Sequence, residues 1–117
     1  MGLDLHIKGY ETSSNSKIGS CSGFNDFREI WAKHLGFDLK EMIGFDGEKE
    51  WTNEPMQFFF NHSDCDGELS VEECVELLAQ AEKDQPHLTD GQSEYSMPIL
   101  IEYCKKAIEK NEPIRFI

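Results

Sequence analysis

Leu3-Asp4-Leu5-His6-Ile7-Lys8 alternates apolar and polar residues without a break. A period of two puts Leu3, Leu5 and Ile7 on one face of a strand and the polar residues on the other. His6 falls on the polar face as an exposed strand residue. Ile114-Arg115-Phe116-Ile117 repeats the pattern after Pro113. Pairing of these segments would join the two ends of the chain in one small sheet. Two strands alone are not stable in water, so helices must cover them. The expected fold is therefore α+β, with several helices packed on a small sheet formed by the N- and C-terminal strands.

Between the two ends the apolar residues follow helical spacing. Phe24, Phe27, Trp31 and Leu35 share one face, and Gly36 follows as a stop. Glu11 to Ser22 has no apolar period and reads as a loop, with Ser22 or Asn25 as the helix cap. Asp38 caps a short helix through Met42 or Ile43. Asn53-Glu54-Pro55 starts another, with Met56, Phe59 and Phe60 as its apolar side. Trp51 is expected to cover the edge of the core. A helix from Ser70 to about Lys83 carries the stripe Val71, Cys74, Val75, Leu78 and Ala81. Gln85 to Gln92 reads as a loop because of Pro86 and Asp90-Gly91. Pro98 then opens a last helix to about Lys110, burying Ile99, Leu100, Tyr103, Ala107 and Ile108.

With 117 residues, residues 1–117 form a single domain with one core. The chain has 11 Lys plus Arg against 23 Asp plus Glu, a formal net charge of −12. Such a surface repels phosphate backbones and anionic lipid, so direct nucleic-acid or membrane binding is not expected. A basic protein is the better-matched partner. No Lys or Arg occurs between Lys49 and Lys83, an interval with nine acids. No segment is apolar enough to span a bilayer. The four cysteines, Cys21, Cys65, Cys74 and Cys104, include no Cys-x-x-Cys pair, and no signal-peptide pattern precedes them. Reduced thiols in a cytoplasmic protein are the expectation.

The acidic interval contains His62-Ser63-Asp64-Cys65-Asp66-Gly67-Glu68-Leu69-Ser70-Val71-Glu72-Glu73. With Gly67 as the sixth residue, this stretch resembles a single EF-hand loop. Asp64, Asp66, Ser70 and Glu73 then stand at positions 3, 5, 9 and 12, and Leu69 at the apolar position 8. His62 departs from the pattern at position 1, where calcium prefers an oxygen ligand. The resemblance implies a divalent-cation site at His62, Asp64, Asp66, Glu68, Ser70 and Glu73. The expected ion is calcium, magnesium or manganese, and zinc ranks below them because no recognised finger spacing is present. The same string also reads without an ion. Asp66-Gly67 is a turn, and Ser70 with Glu73 is a helix capping box.

A second candidate is Ser20, Ser22 and Gly23, a Ser/Gly turn at a helix N-terminus where backbone N–H groups could hold an anion. Met1 to Asp4, Gly19 to Arg28, and His62 to Glu68 together resemble a small uncharacterised bacterial and phage protein family. The resemblance implies no activity, but it suggests that the first and third pieces belong to one site or one structural unit.

Three function classes fit the sequence. One is a small acidic binding module with its ligand at the 62–73 loop. Another is an acidic interaction or inhibitor protein, phage-derived, whose charge mimics nucleic acid. The third is a metal-dependent hydrolase in which His62, Asp64, Asp66 and Glu68 hold an ion that activates water. It ranks last, because no nucleophile–base–orienter set is present and no catalytic residue can be named.

Overall fold

The structure is a computed structural model that describes residues 2–10, 17–43, 45, 47–52, 56–61 and 67–116. The N-terminal strand β1 (Gly2–His6) lies between two others. It pairs antiparallel with β2 (Lys17–Ser20) on one side and with β4 (Ile114–Phe116) on the other. β3 (Gly67–Leu69) pairs antiparallel with β4 and completes the order β2-β1-β4-β3. The alternation seen in the sequence sets the register. Leu5 sits opposite Phe116, and both are buried, as is Ile7, while His6 faces solvent opposite Arg115.

The sheet is wider than the two terminal strands predict. Lys17–Ser20 is a strand and not a loop, and it buries Ile18 and Gly19 while exposing Lys17 and Ser20. The 20-residue helix α4 (Gly91–Lys110) holds β2 in place. Ser96 Oγ donates to the Ile18 carbonyl at 2.7 Å, and Tyr95 Oη to the Lys17 carbonyl at 2.8 Å.

α1 (Cys21–His34) begins directly after β2. Its cap is Ser20, not Ser22 or Asn25: Ser20 Oγ accepts the Gly23 N–H at 2.9 Å. Phe24, Phe27 and Trp31 form its buried stripe, as their spacing predicts, and pack edge-on against Phe59 and Phe60. A 3-10 turn at Leu39–Glu41 comes next, with the Asp38 carboxylate accepting from the Lys40 N–H. Trp51 packs edge-on to Phe37 and Phe45 at the margin of this cluster. The short helix α2 (Gln57–Phe60) is preceded by Met56 in the left-handed region, with φ of 50°. The expected helix start at Asn53-Glu54-Pro55 lies outside the described residues.

α3 (Val71–Asp84) packs lengthwise on α4. Its buried residues are Cys74, Leu77, Ala81 and Asp84; Val75, expected inside, is 52% exposed. The stripe is rotated because Leu77, rather than Val75, continues the Cys74–Ala81 line at three- and four-residue steps. A 3-10 turn at Gln85–His87 joins α3 to α4. α4 starts seven residues before Pro98, where Asp90 Oδ2 accepts the Ser93 N–H at 3.0 Å. Pro98 therefore sits inside the helix, where its missing N–H removes one helical bond and its ring lies on the exposed face. Among the described residues, no helix is long and apolar enough to cross a membrane.

Candidate functional site

The EF-hand-like stretch is described only in its second half. His62, Asp64 and Asp66 lie outside the described residues. The residues after Asp66 are ordered by two independent means, a strand pairing and a helix cap. Gly67 takes φ of 131°, a conformation that side-chain-bearing residues rarely adopt, and leads into β3. β3 is then pinned by β4, with Glu68 opposite Arg115 and Leu69 opposite Ile114. Leu69 is buried and Glu68 exposed.

The helix start is a complete capping box. Ser70 Oγ accepts the Glu73 N–H at 3.2 Å, and Glu73 Oε1 accepts the Ser70 N–H at 2.8 Å. This fulfils the helix-cap reading of Ser70 and Glu73. It also constrains any coordination by Glu73. Oε1 is engaged by the backbone, and Oε2 accepts no hydrogen bond among the described residues. Among the described residues Glu73 therefore has one oxygen without a hydrogen bond, at the place where an EF-hand loop uses both oxygens of its carboxylate.

The approach to the loop is held by Arg28. Its side chain is fully buried against the end of α2. Nη1 donates to the Phe59 carbonyl at 3.1 Å and to the Phe60 carbonyl at 3.2 Å, while Nη2 donates to Asn25 Oδ1 at 3.2 Å. The guanidinium also lies 4.7 Å from the Phe24 ring centroid and 5.4 Å from that of Phe45. The last carbonyls of a helix lack intrahelical donors. Arg28 supplies donors for two of them and so fixes where the chain leaves α2. Sequence reasoning does not single out Arg28. Its one signal is a charged residue four after Phe24 and one after Phe27, within the apolar stripe.

At the second candidate site, Ser20 and Gly23 are engaged with each other in the cap, and Ser22 Oγ lies 3.2 Å from Ser20 Oγ. Gln92 of α4 packs against Gly19 and Gly23, and a Cβ on Gly23 would meet Gln92 Oε1 at 2.9 Å. Of the backbone N–H groups at this turn, that of Gly23 already has a partner in the Ser20 hydroxyl.

The described residues of Met1 to Asp4 lie in β1, and those of His62 to Glu68 lie in β3. The two strands flank β4 in one sheet.

Cys74 and Cys104 are buried free thiols, as their helical positions predict. Cys74 Sγ faces the Leu69 carbonyl at 4.0 Å. The neighbouring Cys104 thiol pulls the Cys74 thiol below the ordinary range, against the opposing effect of burial. The Cys74 thiol beside it, reinforced by burial, pushes Cys104 up. Two open depressions, of about 380 and 300 Å³, flank Pro98 on α4. Neither is lined by a described residue of the 62–73 stretch. Among the described residues, no three His, Cys, Asp or Glu side chains stand together as a metal-ligand group. No protein family, curated protein or solved structure matches the chain.

Proposed function

We propose that the protein is a small acidic binding module whose 62–73 loop takes a single divalent cation. One observation carries the reading: the described residues on either side of the ligand-rich stretch 62–66 are fixed. Arg28 braces the carbonyls of Phe59 and Phe60 before it. β3 and the capping box secure Gly67 to Glu73 after it. Anchored ends reduce the ordering cost of closing a loop around an ion.

The geometry at Glu73 favours magnesium or manganese over calcium. Magnesium binds through one or two carboxylates and keeps several waters, whereas a calcium loop needs the bidentate oxygen pair. Glu73 with one free oxygen suits the first arrangement. The buried reduced pair Cys74–Cys104 fits a reducing, cytoplasmic setting. The exposed acids Glu68, Glu72, Glu76 and Glu82 add negative potential in the same interval of the chain.

Thermal melting in EDTA, then with millimolar magnesium, manganese or calcium, tests the proposal. Binding at about 100 times the dissociation constant stabilises the fold by about 2.7 kcal/mol. At several degrees per kcal/mol, that is a rise of about 10 °C. Glu73→Gln separates the two roles of this residue. Glutamine still accepts the Ser70 N–H, so stability in EDTA should hold while the cation shift is lost. Asp66→Asn should also abolish the shift, whereas Ser70→Ala should cost about 1 kcal/mol with or without the ion. Equal melting temperatures with and without every cation, or a shift that survives both Asp66→Asn and Glu73→Gln, would overturn the reading.

A further inference from the structure

Two buried serines stand near the start of α4, and they are treated differently by the fold. The Ser96 hydroxyl accepts the Gln92 Nε2–H at 2.8 Å and donates to the Ile18 carbonyl at 2.7 Å. Ser93 is fully buried, yet among the described residues its Oγ makes no hydrogen bond. A buried hydroxyl left unpaired is costly, and alanine fills a helical position at less cost. Ser93 is nevertheless within reach of a partner from outside the chain, because it forms part of the wall of a cavity.

That cavity is the open depression of about 300 Å³ between the Gln85–His87 turn and the first turns of α4. Pro86, Leu88 and Pro98 give it apolar walls, and Thr89, Ser93 and Glu94 bring polar groups. Pro98 adds an acceptor indirectly. It has no N–H, so the Glu94 carbonyl loses its regular helical donor. Apolar walls with a few polar groups are the usual make-up of a small-molecule site. Charge then selects the ligand. Glu94 is exposed and is the charged side chain among the described lining residues, while Asp90 caps the same helix. A helix N-terminus carries roughly half a positive charge, so these carboxylates leave this end of α4 negative.

We propose that this cavity binds a small organic amine as its ammonium ion. An ammonium group has three N–H donors and no acceptor. The Ser93 hydroxyl, the Glu94 carbonyl and the Glu94 carboxylate are acceptors on adjacent residues of one wall. The alkyl part of the ligand lies against Pro86, Leu88 and Pro98. Anions are repelled by Glu94 and Asp90, and a neutral alcohol lacks the charge that strengthens a hydrogen bond to a carboxylate. The cavity has no described residue of the 62–73 stretch in its lining and takes an organic cation, so it stands apart from the metal-ion reading of that loop.

The test is titration of the folded protein with butylammonium chloride, in EDTA and at constant ionic strength, followed by backbone amide NMR. The amide signals of Thr89, Ser93 and Glu94 should shift saturably. Sodium butyrate should leave them in place, and butan-1-ol should bind at least about tenfold more weakly than butylammonium. Ser93→Ala deletes an unpaired hydroxyl, so it should melt no lower than wild type, yet bind butylammonium about tenfold more weakly through loss of a hydrogen bond to a charged group. Glu94→Gln, at an exposed position, should leave the fold intact and weaken binding by a similar factor. Should Ser93→Ala fail to fold, the Glu94→Gln result decides alone. An absence of saturable shifts would leave water as the partner of Ser93 and overturn the inference. Equal binding of butan-1-ol, or an affinity that survives either substitution, would overturn it as well.

Discussion

Replacing Arg28 by Met should destabilise the protein by about 3 kcal/mol, and the structure shows where that loss arises. Methionine keeps most of the aliphatic volume, so the cavity term is small. What disappears is the donor shared by the Phe59 and Phe60 carbonyls. Each of these two buried acceptors left unmade costs about 1–3 kcal/mol. The guanidinium–ring contacts to Phe24 and Phe45 contribute about 0.5–2 kcal/mol more. Against these losses stands the desolvation of a buried cation, which deleting the charge removes. That offset is several kcal/mol for a strongly hydrated ion and smaller for a weakly hydrated guanidinium. The balance is a net loss of about 3 kcal/mol, or about 12 °C in melting temperature for a chain of this size. Arg28→Lys should recover less than half of it, because an ammonium lacks the planar fork that reaches both carbonyls. Hydrogen exchange adds a local readout. The Asn61 amide, which donates to the Gln57 carbonyl at 2.8 Å, should exchange faster in Arg28→Met before α3 and α4 are affected. A melting temperature within about 3 °C of wild type would refute the bracing role.

Two more outcomes rest on single side chains. Cys74 and Cys104 should resist a thiol reagent in the native protein and react only on unfolding, measured as labelling against denaturant concentration; rapid native labelling of both would contradict their burial. Burial, with Asp26 and Asp38 nearby, pushes the Glu29 carboxyl up despite Lys40 and Arg28. The fold thus disfavours its ionised form, so this residue's contribution improves as pH falls through the raised folded value and is unfavourable above it. Glu29→Gln should melt higher than wild type near pH 7, with the gap closing in acid; a gap independent of pH would show that charge is not the cause.

The features legible in the sequence are those whose cause is local. Leu5 and Ile7 face the core because a period of two with one wet side leaves no other choice, and Phe116 repeats the logic at the other end. Ser70 and Glu73 cap α3 through atoms three residues apart. Where the cause is distant, the sequence is silent. β2 has one large apolar residue, Ile18, and becomes a strand because β1 and α4 hold it. β3 is a three-residue segment that exists through β4. The start of α4 is obscured in the sequence by Pro98, which is tolerated inside the helix because its ring faces solvent. Arg28 finds its carbonyls 31 and 32 residues away, and Asp84 finds Trp31 at a separation of 53. Each looks like a misplaced charge on an apolar stripe until its partners are seen. The same division explains why the 62–73 stretch reads two ways. A helix cap and a cation ligand both require an oxygen-bearing residue with Glu three positions later, since both exploit the first turn of a helix. The spacing of Ser70 and Glu73 is common to the two. What differs is the count of free carboxylate oxygens. With Oε1 on the Ser70 N–H, the cap uses one of the two Glu73 oxygens, and an ion at this place would meet the other first.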